Sequence, residues 1–467
     1  MGSKRLKALA VRGSQRAPLH DRAELVRLAR QYGRVLRPSK SRLPGLLFGM
    51  SRMVLPLLRA LRFKPSGGPT AAIVQVYRDY GTCSGVALAT EIGDIPVRNW
   101  SGVGTDDLPL QRSSLISDDA VIQHQVRRYY CRHCAVGCGG FVRLESERFG
   151  LQEGRKPEFE TLGAFGPLLL NDDLESIITA GNICDRQGMD TISTGAVVAF
   201  AIECAEKGLI SREDAGGLDL SWGNGEAIVE LVEMIARREG IGDLLAEGVR
   251  RASARIGGGA DAFAMHAGGQ ELPMHDTRYE PLVAVGYQVD ATPGRHTASM
   301  SGLIDNAILR EAIAAAGIRP PGRYEVEGKG RVLAAVNQLL HVLNCSGLCI
   351  YAVLMGRPPL REWINAATGW ELDVAEMLEL GRRVQLTRHA FNAREGLELG
   401  DSDLPDRAIG RPPLQRGPLR GVTLDMEAMT QEYYQAVGLD PKTGMPTEDA
   451  RQALGLDRLL DGSTGTH

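Results

Sequence analysis

Apolar residues recur at helical spacing over most of this chain. After the polar residue Asp21, Leu25, Leu28 and Tyr32 share one face and predict a helix. Asn171-Asp172-Asp173 offers caps for a helix over Leu174 to Ala180. Between Thr194 and Leu209, Val197, Val198, Ala201 and Cys204 fall on overlapping apolar faces, with a stop near Gly208. Ala227 to Ile256 carries two helical runs divided by Gly240-Ile241-Gly242, and further helices are predicted at Val332 to Leu343 and Val374 to Asn392. Alternation of Leu6, Ala8 and Ala10 predicts a short strand over 4–13. Glu158-Phe159-Glu160-Thr161 leads into a Gly-Pro-rich loop, and the Pro-, Gly- and charge-rich tail from Asp401 reads as a surface wrap. The sum is a mainly α protein with few short strands and no internal repeat.

Length and composition divide this pattern. At 467 residues the chain exceeds one ordinary core, and the break at Gly257-Gly258-Gly259 is the best boundary, giving 1–259 and 260–467. Pro38 to Thr70 reads as an insertion around a leucine-rich amphipathic piece, Leu46 to Leu61; Arg52 and Arg59 make that piece a poor membrane span. A formal net charge of −3 gives no footing for nucleic acid. There is no strand–GxGxxG–helix fingerprint and no Walker loop, which disfavours nicotinamide and P-loop enzymes. The opening residues do not read as an export signal. The eight cysteines are therefore expected to act as thiols or metal ligands, with the cytoplasm as the default location.

Three of those cysteines, Cys131, Cys134 and Cys138, stand at the spacing C-x2-C-x3-C. A structural zinc site with His133 is the plainer alternative, but zinc ligands usually come as two separated pairs, and the tight triplet fits an iron–sulfur cluster better. Ala135 after the second cysteine excludes the c-type haem signature. A fourth ligand must come from Cys83, Cys184, Cys204, Cys345 or Cys349; spacing does not choose between the last two. Two turns echo each other: Asp185-Arg186-Gln187-Gly188-Met189-Asp190 and Asn344-Cys345-Ser346-Gly347-Leu348-Cys349. Each is most simply a glycine-closed helix C-terminus. Each also places an oxygen-bearing side chain, a glycine and a second polar or thiol group along one turn.

The triplet, these two turns and several further stretches resemble the tungsten-containing aldehyde:ferredoxin oxidoreductase family, over nearly the whole chain. The further stretches are Glu91-Ile92-Gly93 with Pro96 to Trp100, Pro157 to Thr161, Glu271 to Asp276, and Phe391 to Gly396. The resemblance implies two helical domains like domains 2 and 3 of that family. It implies a tungsten (or molybdenum) bis-pterin centre beside one [4Fe–4S] cluster held by Cys131, Cys134, Cys138 and Cys349. It assigns Asp185, Gly188, Asp190, Asn344, Leu348 and Cys349 to the pterins, and Glu160 and His296 to catalysis near the metal. The implied reaction oxidises a small aldehyde to a carboxylate, with ferredoxin or a similar carrier as electron acceptor.

Two departures qualify the resemblance. Family members begin with a domain that forms a saddle under the pterins, whereas the start of this chain resembles the family's sequence just after it. A separate subunit supplying that domain, a fragment, or a non-catalytic iron–sulfur or interaction subunit that has lost the tungsten site are the resulting expectations. Asn344 also replaces the usual aspartate, which keeps an acceptor, adds a donor and removes a negative charge.

Overall fold

The computed structural model describes residues 8–15, 17–36, 70–134, 136–298, 307–351 and 358–456. The protein is mainly α-helical. Helix α1 (Arg22–Val35) starts where Asp21 accepts a hydrogen bond from the Glu24 amide, and it buries Leu28 and Tyr32. Helices α2 (Thr70–Asp79) and α3 (Val86–Ile92) follow. Then comes an antiparallel sheet of β1 (Gln125–Tyr129), β2 (Gly139–Ser146) and β3 (Gly150–Arg155), with β2 central. Next are α4 (Phe159–Phe165), α5 (Leu174–Gln187), α6 (Thr191–Glu206), α7 (Gly225–Arg237), α8 (Ile241–Leu245) and α9 (Val249–Ile256). A two-strand ladder of β4 (His266–Ala267) and β5 (Gln270–Glu271) leads to α10 (Pro281–Val289) and α11 (Ala307–Ala315). The chain continues as α12 (Lys329–Cys345), α13 (Leu360–Thr368), α14 (Val374–Arg394), α15 (Met426–Val437) and α16 (Glu448–Leu454).

The predicted helices form, and most run longer than their apolar stripe. Asp173 caps α5 through the Glu175 amide, and that helix extends seven residues past Ala180. Every residue of α6 from Thr194 to Cys204 is buried, as expected of a helix apolar on all sides. Helices α12, α14 and α15 pack together around Leu333, Val336, Leu386 and Tyr433.

Four local expectations are corrected. Residues 8–13 are exposed coil, because no neighbouring strand offers a ladder; the residues before them lie outside the described set. The stretch at Glu158 does not lead into a loop: it opens helix α4. Ala227 to Ile256 holds three helices, since Gly248 interrupts the second run. The tail does not merely wrap the surface. Asp425 caps α15, whose Met429, Tyr433 and Val437 are fully buried. Of the expected insertion at 38–70, residues 38–69, with the leucine-rich piece, lie outside the described residues, and Thr70 opens α2. No described helix is long and apolar enough to cross a membrane.

Two ion pairs, one part-buried and one fully buried, tie distant segments together. Arg407 binds Glu203 through both guanidinium nitrogens, at 2.8 and 2.9 Å, and Asn99 donates to the same carboxylate at 2.7 Å. Arg278 and Asp276, 1% and 2% exposed, form a second bidentate pair; Arg278 also donates to the carbonyls of Trp100 and Arg407. These contacts hold Arg98, Asn99 and Trp100, three consecutive non-glycine residues with φ of 48°, 45° and 68°. Each left-handed residue costs about 1–3 kcal/mol unless its surroundings enforce it. Replacing Arg278 with Met leaves Asp276 buried and unpaired, and is expected to lower unfolding free energy by about 3–5 kcal/mol in urea titrations.

Candidate active site and cysteine centre

Helix α4 begins at Phe159 and carries Glu160 in its first turn. Gly163, one turn on, lies against Met274: a Cβ there would stand 2.7 Å from the Met274 side chain. That close approach lets the Met274 amide donate to Glu160 Oε2 at 2.8 Å. The carboxylate is thereby aimed, and its other oxygen, Oε1, is buried without a hydrogen bond. Facing Oε1 are the Nε2 atoms of His275 and His296, each 3.5 Å away. His275 belongs to the loop between β5 and α10, and His296 to a short 3-10 turn after α10.

The two histidines sit in opposed environments. His275 stacks on Phe159 at 5.0 Å and donates through Nδ1 to Asp94, at 3.1 and 3.2 Å from the two carboxylate oxygens. Burial disfavours its charged form, but Asp94, by charge and hydrogen bond, with Glu160 and Glu280 behind it, outweighs burial and lifts its pKa to about 9. For His296 burial wins over the pull of Glu160, aided by the positive charge of His275 and Arg295, and its pKa falls below the ordinary value. At neutral pH one imidazole is charged and its neighbour is not.

Glu160 and His296 are thus brought together. Sequence reasoning passed over His275 and Asp94. Both adjoin or lie within matched stretches, but a pairing across 181 residues has no local signature.

The cysteine loop lies between β1 and β2. Its backbone turns through His133 and Gly137, both at positive φ, and a Cβ on Gly137 would overlap the Tyr130 ring. The amides of Val136 and Gly137 point at Cys134 Sγ, 3.3 and 3.4 Å away. Val136 anchors the loop in a small core with Tyr32, Leu36 and Val74, and Cys134, Cys138 and Tyr351 pack against it. Burial raises the Cys138 pKa to about 11, helped by the negative charges of Glu158, Cys134 and Cys349. Cys349 therefore lies close to the triplet, although it is more than two hundred residues on. By contrast, Cys83, Cys184 and Cys204 are buried; the Cys83 thiol donates to the Tyr80 carbonyl at 2.9 Å. Cys345 is exposed. Three cysteines on one short loop, Cys131 exposed and Cys134 and Cys138 partly buried, with amides aimed at the Cys134 sulfur, form a soft donor set that suits a cluster of the iron–sulfur type.

Both echoing turns are helix C-termini closed by glycine: Gly188 ends α5 at φ 74°, and Gly347 follows α12 at φ 68°. Open space adjoins each glycine. Asp185, Asp190 and Asn344 are exposed, Leu348 is half-buried, and Asp190 caps α6 by accepting from the Ser193 amide at 2.7 Å. Asp185 also bears on Glu158, whose pKa is raised chiefly by burial. The first turn, Glu158 and the cysteines accordingly lie in one neighbourhood. Exposed polar ends beside open space are compatible with a large polar ligand.

The family model of aldehyde ferredoxin oxidoreductase, domains 2 and 3, matches residues 68–456. The chain belongs to this family. It is 29% identical over 463 residues to the tungsten-containing aldehyde ferredoxin oxidoreductase of Thermococcus kodakarensis, spanning 98% of this chain and 68% of that protein. The Pyrococcus furiosus protein of the same name is 30% identical over 459 residues, with the same coverage. A Pyrococcus furiosus aliphatic sulfonate oxidoreductase, WOR-like subunit, is 24% identical over 477 residues, 98% of this chain and 65% of that one. Among solved structures, the active site complex BamBC of benzoyl coenzyme A reductase shares the fold. Its TM-score is 0.69 at 20% identity, covering 97% of this chain and 67% of that chain.

The charged state of His275 links this family member's stability to pH. In metal-free protein the raised pKa means that the native state holds a proton the unfolded chain has lost between its ordinary pKa, about 6.5, and 9. The stabilisation is full below about 6.5 and is lost as pH rises through 9. Asp94→Asn should remove that fall from denaturation midpoints and lower the His275 pKa in NMR titrations.

Proposed function

We propose that this chain carries the catalytic portion of an oxidoreductase that converts a small aldehyde to its carboxylate. The observation that carries the proposal is Glu160 Oε1, buried without a hydrogen bond between two imidazoles in opposite charge states. Groups whose environments drive their pKa values apart are suited to take and give protons at one reacting centre. Family membership and the relatives' names support the reaction class and the tungsten.

In this proposal Cys131, Cys134, Cys138 and Cys349 hold a [4Fe–4S] cluster. Asp185, Gly188, Asp190, Asn344, Leu348 and Cys349 hold the pterins of a tungsten or molybdenum centre, with part of the cradle from a further domain or subunit. The residues to 259 then supply the cysteine triplet and first turn, and those from 260 the fourth cysteine and second turn. Such a metal centre would supply a two-electron sink, and the cluster a one-electron outlet to ferredoxin or a similar carrier.

The protein's own part is proton handling. Oxidation of an aldehyde to a carboxylate takes an oxygen from water and releases protons with the two electrons. Glu160 Oε1 accepts a proton from the oxygen nucleophile or hydrated carbonyl. Neutral His296 passes it onward. Charged His275, fixed by Asp94, faces Glu160 Oε1 at 3.5 Å and polarises the carbonyl side of the site. Phe159, stacked on His275, and buried Met274 flank the site.

Glu160→Gln should lower aldehyde-dependent dye reduction by about 10²–10⁴-fold while bound metals are retained. Protein copurified anaerobically with its natural partners provides the test. Absence of both tungsten and molybdenum, with iron and sulfide still present, would overturn the catalytic reading in favour of an iron–sulfur subunit. Cys131→Ser should cost the iron and sulfide, measured by elemental analysis.

A further inference from the structure

We propose that Glu160, His275 and His296 form a binding site for one divalent first-row transition-metal ion, through Glu160 Oε1 and the two Nε2 atoms. This site is separate in chemistry from the cysteine centre: its donors are two nitrogens and one oxygen, not thiolates. Zinc, iron(II), cobalt(II) and manganese(II) suit such a set better than calcium or magnesium.

The spacing of the donor atoms is the first argument. The three ligand atoms all lie within 4.8 Å of one another, and both nitrogens stand 3.5 Å from Oε1. A direct N–H···O hydrogen bond would bring the atoms to about 2.7–3.2 Å. Two ligands of one tetrahedral ion, each about 2.1 Å from the metal, are separated by about 3.4 Å. The gaps are thus too wide for hydrogen bonds and match the edges of a coordination polyhedron.

The surroundings supply the second argument. Metal-binding imidazoles usually donate their other ring nitrogen to a carboxylate, which fixes the tautomer and the ring plane. Asp94 does this for His275 Nδ1, and Phe159, stacked at an interplanar angle of 12°, holds the same ring from its face. Glu160 is oriented in the same way, its Oε2 engaged by the Met274 amide and its Oε1 left for a cation. Each of these two ligands has its non-ligating atom engaged and its ligating atom turned inward.

Binding displaces the Nε2 proton of charged His275 to solvent, and three protein donors leave coordination positions open. In the aldehyde-oxidising reading, Oε1 is also the proton acceptor, so metal occupancy and proton transfer exclude each other. Zinc would then act as a reversible inhibitor. The binding itself does not depend on that reading.

Cobalt(II) is the probe. The full chain, with its natural partners and cysteine centre intact, is stripped with a mild chelator and titrated anaerobically with cobalt(II), then with zinc. One equivalent with a ligand-field spectrum, lacking the intense near-ultraviolet band of cobalt–thiolate bonds, and displaced by zinc, is the expected result. His275→Ala and His296→Ala should abolish it, and Asp94→Asn should weaken it about 10–100-fold. X-ray absorption of zinc-loaded wild-type protein should show two imidazoles and no sulfur, which tests the site even if an alanine variant fails to fold. Wild-type protein without this equivalent, a sulfur-containing zinc shell, or binding unchanged in folded His275→Ala protein would each overturn the proposal. Absent cobalt binding in wild-type protein, alongside loss of aldehyde oxidation in Glu160→Gln, would overturn this inference alone.

Discussion

The geometry of the site rests on the buried pair of Asp276 and Arg278. Removing two charges from water is costly, and a buried ion pair seldom adds net stability over apolar packing. What this pair contributes is placement. Arg278 spends its remaining donors on the carbonyls of Trp100 and Arg407, so one guanidinium joins three segments far apart in the chain. The Asp276 amide reaches the Asp94 carbonyl at 2.5 Å, which seats Asp94 beside the preceding residue, His275. Met274, one residue earlier still, aims Glu160. Five consecutive residues, from Met274 to Arg278, thus carry the aiming amide, the charged imidazole and the pair that fixes both.

The same logic extends to the cysteine loop, with weaker forces. Arg128 donates to the Gly137 carbonyl at 3.0 Å, and a small apolar core around Val136 and steric demands at Gly137 shape the rest. Cys349 arrives from the far end of α12, whose packing against α14 and α15 sets where that turn lies. The imidazole site is therefore held by directional polar contacts, and the cysteine site by helix packing.

Much of this was legible in the sequence, for reasons that differ by feature. The helices were visible because burial on one face imposes a period, and capping residues such as Asp21 and Asp173 marked their starts. The cysteine triplet was visible because its ligands are local. Helix α15 was hidden although its stripe of Met429, Tyr433 and Val437 is regular, since the Pro- and Gly-rich stretch before it dominated the composition. Over residues 8–13 the expected strand is absent for the opposite reason: alternation is only half of a strand, and the partner cannot be seen locally. His275 was hidden because its chemistry comes from Asp94 and Glu160, neither of them near it in sequence.

The left-handed run Arg98–Trp100 bears on how the chain can be made. Its carbonyls are held by Arg278 and Arg407, the latter 308 residues downstream of Asn99. During synthesis this bend leaves the ribosome before its support, and Glu203 before its cation. Neither gains its full set of contacts until Arg407 has emerged, so this corner of the fold is completed late in synthesis.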